Sequence, residues 1–130
     1  MNKHYIDWDE INALVFRLCH QIKTSNLKIK NVYGLTRGVL VPAVMLSHQL
    51  GIPMVKGDIG PDTLIVDDIC DSGETLDKFV RKNQNLYSFT FNLKTAVFTY
   101  KPHTSCFAPT FSSEKWNKDV WIVYPWEHAD

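Results

Sequence analysis

Two adjacent carboxylates follow an apolar run in the stretch TLIVDDICDSGETL, residues 63–76. Ionised carboxylates only accept hydrogen bonds, so Asp67 and Asp68 repel each other unless a cation or hydroxyl groups meet them. A sugar diol or a metal ion fulfils that need. Since successive side chains of a strand point to opposite sides, we expect at least one of the two to face a binding crevice.

The turn after the acid pair offers hydroxyls and main-chain amides. Asp71 opens the sequence D-S-G-E-T, in which Ser72 and Thr75 carry hydroxyls and Gly73 is conformationally free. Main-chain N–H groups at a helix start, together with the helix dipole, bind phosphate groups. Carboxylates for a ribose and amides for its phosphate, a few residues apart, predict a ribose 5-phosphate site.

An ordinary turn is the alternative interpretation of this stretch. Acidic residues and Ser-Gly before a helix also form N-caps and turns that bind nothing. The complete run favours a site, because an apolar strand is followed by two acids, a two-residue spacer and D-S-G-x-T. Cys70 occupies the spacer, where we expect it to pack rather than react.

Three residues near the end of the chain are candidates for holding a flat aromatic ligand. Lys101 precedes a proline at a predicted strand end, which is usually a solvated position. Trp121 and Trp126 fit a core or a dimer contact equally well. A cationic donor followed by an aromatic face nevertheless suits a heteroaromatic base with an exocyclic oxygen.

Strand and helix patterns alternate along the chain and predict an α/β domain with a mainly parallel central sheet flanked by helices. In such sheets ligands bind beyond the carboxyl ends of the strands, where the acid pair lies. The predicted strands, in chain order, are NVYGL, IPMVK, TLIV, TAVFTY and VWIVY. The strand TLIV ends at the acid pair. The predicted helices begin after a cap at Asp7 or Asp9, span 41–50 before Gly51, and span about 75–83.

Two further expectations concern packing and connections. The first helix carries an apolar stripe of helical period, made of Trp8, Ile11, Leu14, Val15, Leu18, Cys19 and Ile22. The turn GDIGPD is too short for a parallel crossover, so IPMVK is either very short or antiparallel. Residues 101–119 are predicted to be mostly loop.

Composition excludes several classes of protein. Fourteen basic residues balance fourteen acidic ones, so no net charge attracts nucleic acid or an anionic membrane. Three widely spaced cysteines, Cys19, Cys70 and Cys106, argue against a disulfide framework or a zinc site. No run reaches the roughly 18 apolar residues of a membrane span. We therefore expect a single soluble, cytoplasmic domain of 130 residues that binds neither nucleic acid nor membranes.

Three motifs, in the same order, resemble the type I phosphoribosyltransferases. LIVDDICDSGETL is similar to the signature by which that family binds phosphoribosyl pyrophosphate (PRPP). Residues 33–53, YGLTRGVLVPAVMLSHQLGIP, resemble the pyrophosphate loop and following helix of bacterial xanthine-guanine phosphoribosyltransferases. VFTYKP and DVWIVYPWE are similar to the strand and hood segments that hold a 6-oxopurine in those enzymes.

The resemblance implies transfer of the 5-phosphoribosyl group from PRPP to a 6-oxopurine, with Mg²⁺ as cofactor, in a homodimer whose chains carry a C-terminal hood at about 102–130. It implies these PRPP contacts: Thr36, Arg37 and Gly38 on the pyrophosphate, Asp67 and Asp68 on the ribose hydroxyls and Mg²⁺, and Asp71, Ser72, Gly73, Glu74 and Thr75 on the 5-phosphate. For the base it implies Asp71 as general base near N7, Lys101 on O6, Trp121 stacked on the ring, and the Ile122 carbonyl on a 2-amino group.

Two departures from the family pattern concern activity. The long flexible loop that closes over the reacting centre in family members is reduced here to MVKGDIGPD. Val39 replaces the second glycine of the pyrophosphate loop, which restricts φ there. The main alternative is therefore a PRPP- or nucleotide-binding regulatory protein without turnover. A phosphoacceptor receiver domain also combines acids with Lys-Pro, but its acid pair follows the first strand, whereas Asp67 and Asp68 lie mid-chain.

Overall fold

A computed structural model describes residues 2–87, 93–117 and 119–127 of the chain. Its strands are β1 (Asn2–Tyr5), β2 (Asn31–Gly34), β3 (Thr63–Cys70), β4 (Lys94–Tyr100), β5 (Phe111–Lys115) and β6 (Val120–Val123). Its helices are α1 (Trp8–Thr24), α2 (Leu40–Leu50) and α3 (Glu74–Tyr87), and a 3-10 turn spans Arg37–Val39.

The central sheet has four strands in the order β2-β3-β4-β5, and all its neighbours are parallel. Leu64, Val66 and Phe98 belong to the core that α1 and α2 cover, whereas Ile65 and Val97 pack with α3 residues on the other face. Strands β1 and β6 form a separate parallel pair. The predicted α/β fold, with a mainly parallel sheet flanked by helices, is confirmed. The division into a domain and a hood stays a prediction, and residues 118 and 128–130 lie outside the described residues.

Strand β3 is longer than predicted. The acid pair was expected to end the strand at Val66, but the ladder with β4 continues through Asp67, opposite Val97, to Cys70, opposite Tyr100. The expectation was wrong because main-chain pairing does not depend on the side chain being apolar. Both acids are therefore held on the central strand rather than in a loop.

Helix α1 begins as expected at Asp7, whose carboxylate accepts a hydrogen bond from the main-chain N–H of Glu10 at 2.8 Å. Six members of the predicted stripe are buried: Ile11, Leu14, Val15, Leu18, Cys19 and Ile22. The assignment of Trp8 to this stripe was wrong, since Trp8 is 48% exposed. The centroids of the Trp8 and Trp126 rings are 6.0 Å apart.

Helix α2 ends as predicted at Gly51, which adopts a left-handed conformation with φ of 70°. The segment IPMVK contributes only one parallel bridge, between Met54 and Val32, so of the two options a very short strand is correct. In the described part of the chain, no helix is long and apolar enough to cross a membrane.

Two other boundaries differ from the sequence prediction. The segment predicted as loop contains β5, whose residues are mostly polar and which pairs with β4 along its length. Helix α3 begins at Glu74 and ends at Tyr87, which is longer than the predicted span of about 75–83. The start at Glu74 places the D-S-G turn directly before the helix.

Candidate functional site

The acid pair lies at the carboxyl end of the central strand. Asp67 is buried, and its Oδ1 accepts hydrogen bonds from Thr36 Oγ1 at 3.0 Å and from the Asp68 main-chain N–H at 2.9 Å. Burial removes water from this carboxyl and raises its pKa above the usual value, although the hydrogen bonds act in the opposite direction.

Asp68 is half-buried beside it. Its Oδ1 accepts a hydrogen bond from the Ile69 main-chain N–H at 2.9 Å. Burial, followed by the charge of Asp67, raises the pKa of the Asp68 carboxyl to about 7. The pair therefore holds its two negative charges at a cost that a cation would relieve.

The donor set fits Mg²⁺ that arrives with a substrate. Within the residues described, no group of three or more His, Cys, Asp and Glu side chains could enclose a metal ion. Protein-bound Mg²⁺ often takes only one or two carboxylates and completes its shell with water and phosphate oxygens. Asp67 and Asp68, two carboxylates in need of positive charge, match that arrangement.

The predicted pyrophosphate loop packs against the acid pair. A Cβ atom added to Gly38 would lie 3.3 Å from Asp68 Oδ2, so the main chain of the loop passes close to that carboxylate. Arg37 is exposed at the start of the 3-10 turn. Val39, at φ −94° and ψ −10°, adopts right-handed helical geometry and is buried. The loop thus accommodates valine without needing the conformation that only glycine favours.

The predicted phosphate turn surrounds a cavity of about 120 Å³, whose lining includes Asp71, Ser72, Gly73 and Thr75. Gly73 has φ of +81°, and a Cβ atom there would lie 2.5 Å from Ser105 Oγ and 2.8 Å from the main-chain nitrogen of Phe107. Glycine is therefore required for both conformation and space. Glu74, also predicted at this site, is exposed and does not line the cavity.

A second cavity of about 240 Å³ lies next to the first, and its lining includes Lys101, Trp121 and Ile122. Trp121 is 57% exposed, so much of its side chain is left uncovered by the protein. Lys101 is buried, and its ammonium group donates to Asp71 Oδ2 at 3.2 Å and to the Val120 carbonyl at 2.7 Å. An ammonium has three N–H donors, so one remains for a ligand.

Asp71 lines both cavities and so stands between the predicted phosphate and base positions. The carboxylate is fixed from two sides, by Lys101 on Oδ2 and by Thr104, whose hydroxyl lies 2.8 Å from Oδ1. A group placed here can contact a ligand that occupies both cavities at once.

Sequence reasoning missed Tyr124 as a site residue. Its buried hydroxyl donates to the main-chain carbonyl of Asp68 at 3.0 Å and lies 2.6 Å from Thr99 Oγ1. Burial raises the pKa of this hydroxyl well above its usual value, so it stays a donor. The signal was available, because Tyr124 follows Ile122 at the two-residue spacing of one strand face.

Cys70 packs as predicted, with its Sγ 3.2 Å from Ser105 Oγ. All three cysteines, which fall in described segments, are free thiols. Burial raises the pKa of the Cys70 thiol above its usual value, which keeps it protonated and unreactive.

Comparisons with known proteins give one consistent result. No protein-family model matches the chain. The chain is 32% identical to the xanthine-guanine phosphoribosyltransferase of Cereibacter sphaeroides, and the match covers 96% of this chain and 87% of the relative. It is 26% identical to the xanthine-guanine phosphoribosyltransferase of Gluconobacter oxydans, where the match covers 97% of this chain and 86% of the relative. The crystal structure of a purine phosphoribosyltransferase from Pyrococcus horikoshii superposes with a TM-score of 0.82 at 28% identity, covering 100% of this chain and 97% of the other.

Proposed function

Because the chain belongs to the xanthine-guanine phosphoribosyltransferase family, we propose that it transfers the 5-phosphoribosyl group from PRPP to a 6-oxopurine. The products are pyrophosphate and the nucleoside 5'-monophosphate, as in purine salvage. The observation that carries the proposal is the position of Asp71 in the walls of two adjoining cavities. The lining of one cavity includes Ser72, Gly73 and Thr75, which suit a phosphate, and the lining of the other includes Lys101 and Trp121, which suit a base.

PRPP binding is assigned to the residues around the acid pair. Asp67 and Asp68 face the ribose hydroxyls and Mg²⁺, while the turn at Asp71, Ser72, Gly73, Glu74 and Thr75 holds the 5-phosphate. The pyrophosphate is assigned to Thr36, Arg37 and Gly38. The close approach of Gly38 to Asp68 supports this, since it brings the pyrophosphate loop within reach of a metal shared with the acid pair.

Recognition of the base is assigned to the second cavity. The remaining N–H of Lys101 donates to O6, the Trp121 ring stacks on the purine, and the Ile122 carbonyl accepts from a 2-amino group. Guanine, xanthine and hypoxanthine all carry the 6-oxo group, so all three are candidate substrates. Burial of Lys101 favours O6 as its partner, because a charged donor in a dry site strengthens each hydrogen bond it makes.

The reaction separates charge in a way these residues can stabilise. Departure of pyrophosphate develops positive charge on the ribose and negative charge on the leaving group. The acid pair stabilises the ribose, and Arg37 and the loop amides stabilise the leaving group. Bound Mg²⁺ would supply further positive charge to the pyrophosphate. Asp71 accepts the proton that the purine loses as its nitrogen bonds to the sugar.

We also propose a homodimer and a C-terminal hood at about 102–130. Leu40, Val41 and Val44 expose apolar surface along α2, a face suited to a second copy of the chain. A cytoplasmic location is proposed because free thiols persist in a reducing compartment.

A turnover assay tests the proposed function. PRPP, Mg²⁺ and guanine, xanthine or hypoxanthine are supplied, and nucleotide and pyrophosphate are measured. We expect wild type to form nucleotide slowly and Asp71→Asn to lose about a hundredfold in kcat, the size typical of a lost general base. Asp119→Asn is the matched control, because that side chain is 84% exposed and lies outside both cavity linings. Equal rates for Asp71→Asn and wild type would remove Asp71 from its role.

A regulatory protein without turnover is the second candidate. The observation that favours it is the short interval at residues 54–62, which leaves the site without the long closing loop of the family. Tight binding of a purine nucleotide with no nucleotide formed from any of the three bases would establish this candidate.

A further inference from the structure

A threonine outside both cavity linings holds the carboxylate of Asp71. Thr104 Oγ1 lies 2.8 Å from Asp71 Oδ1 and 3.0 Å from the Asp71 main-chain carbonyl. Lys101 Nζ donates to the other carboxylate oxygen, Oδ2, at 3.2 Å. Each oxygen of the carboxylate therefore has a donor within hydrogen-bond distance, and Oδ1 is the nearest acceptor to the single hydroxyl proton of Thr104.

The Thr104 hydroxyl contacts an Asp71 side chain that is only partly buried. The Asp71 side chain is 48% exposed, so packing alone does not fix its rotamer. The Lys101 ammonium is shared with the Val120 carbonyl and, under the proposed function, with the purine O6. While the Lys101 ammonium also serves Val120 and a base, Thr104 is a second donor that holds Asp71 in place.

Main-chain hydrogen bonds, besides the threonine hydroxyl, hold the turn that carries Thr104. Main-chain hydrogen bonds join the Thr104 N–H and the Ser105 N–H to the Lys101 carbonyl at 3.3 and 3.1 Å. The Cys106 N–H donates to the Ser72 carbonyl at 2.8 Å and ties the turn to the phosphate loop. Thr104 itself is exposed, so its removal leaves no cavity.

We propose that Thr104 is a positioning residue for phosphoribosyl transfer, whose hydroxyl orients Asp71 toward the nitrogen of the incoming purine. The inference rests on the proposed function, because it assumes that Asp71 accepts the proton. It adds a residue that touches neither substrate and acts only through Asp71.

The test compares two substitutions at one position. Thr104→Val keeps the shape and removes the hydroxyl, whereas Thr104→Ser keeps the hydroxyl. We expect Thr104→Val to lower kcat about tenfold, with KM for PRPP and base within about twofold, because misorientation of a catalytic group affects the transition state more than binding. Thr104→Ser should keep kcat within about threefold of wild type. A change of that size is smaller than the one expected when a hydrogen bond to a charged group is lost.

A matched control and a double mutant separate positioning from general damage. Thr24 is also an exposed threonine whose hydroxyl is hydrogen-bonded to main-chain carbonyls, at the end of α1, so Thr24→Val should leave kcat unchanged. In the Asp71→Asn background, Thr104→Val should lower kcat by less than about twofold. The effects of two residues that act through the same group do not add.

The outcomes distinguish this inference from the proposed function. Nucleotide formation by wild type, impaired in Asp71→Asn but equal to wild type in Thr104→Val, would overturn the role of Thr104 alone. A full tenfold loss in both backgrounds would also overturn it, since Thr104 would then act independently of Asp71. Failure of wild type with all three bases would overturn the proposed function and this inference with it.

Discussion

Asp68 occupies a position in the fold at which a negative charge is unfavourable. Asp68 keeps one good hydrogen bond, to Ile69, yet burial and the neighbouring Asp67 raise its pKa to about 7. The unfolded chain has no such penalty, because its carboxyl returns to an ordinary pKa near 3.8. Folding without a bound cation therefore favours the protonated form of Asp68.

The first prediction concerns stability against pH. Since the folded pKa is raised, the folded state holds a proton that the unfolded state has released between about pH 4 and 7. The contribution of the protonated Asp68 carboxyl to the free energy of unfolding is therefore fully present below that window. It is lost as the pH rises through the window to about 7. At pH 8, Asp68→Asn should raise the free energy of unfolding by about 1 kcal/mol after solvent screening, and the gain should disappear at low pH.

Urea denaturation at about pH 4 and at pH 8, in the absence of Mg²⁺, measures this difference. Asp119→Asn, at an exposed position, serves as the control and should show no such gain. A variant Asp68→Asn that is less stable than wild type at pH 8 would mean that the carboxylate stabilises the fold.

At the residue scale, the sequence predicts which side chains form the proposed site but not the contacts that support them. The types and spacing of Asp67, Asp68 and Asp71 indicate an anionic, sugar-binding crevice without any structure. Thr36 and Thr104, which hold two of these carboxylates, are about thirty positions away in sequence. Such long-range hydrogen bonds follow from the fold, which local patterns do not determine.

At the scale of secondary structure, the apolar elements were predictable and the polar strands β1 and β5 were not. The apolar runs of β3 and β4 and the capped helix α1 follow from period and capping residues. Strands β1 and β5 are mostly polar and are stabilised by pairing with distant partners, β6 and β4. Their sequences therefore carry no alternation from which a strand could be predicted.

The second prediction concerns the turn between β3 and α3. Gly73→Ala forces a side chain into a left-handed conformation and against the main chain of Phe107, so it should cost about 1–3 kcal/mol in unfolding free energy. Because the turn must shift, affinity for a purine nucleoside 5'-monophosphate should also fall, measurable by calorimetric titration.

Gly57→Ala is the matched control, since nothing lies within 4 Å of a Cβ added there. Its effect on stability should stay within about 0.5 kcal/mol. If Gly73→Ala proved as stable as Gly57→Ala and bound nucleotide as tightly as wild type, the turn would not be the phosphate site.

At the scale of the whole molecule, the short interval before β3 is the feature that bears most on the proposed reaction. Residues 54–62 connect the short bridge at Met54 to β3 in place of the family's long closing loop. Loops that close over a site exclude water, and their opening often limits turnover. In this chain, the covalent step rather than loop motion should therefore limit the rate.

The third prediction follows from that short interval. If no loop has to open, kcat should not change as sucrose raises the viscosity of the solution, and a plot of relative kcat against relative viscosity should have a slope near zero. Polyethylene glycol, which raises bulk viscosity without slowing small molecules, is the control. A slope near one with sucrose would show that diffusive product release or a conformational step limits turnover.

The central claim is that acidic side chains hold a ribose while the adjacent turn holds its 5-phosphate. A crystal structure with guanosine 5'-monophosphate tests it most directly. We predict phosphate oxygens within about 3 Å of the main-chain nitrogens of residues 72–75, the ribose hydroxyls at Asp67 and Asp68, and the purine over Trp121. A nucleotide bound elsewhere, or a phosphate that makes no contact with this turn, would contradict the account.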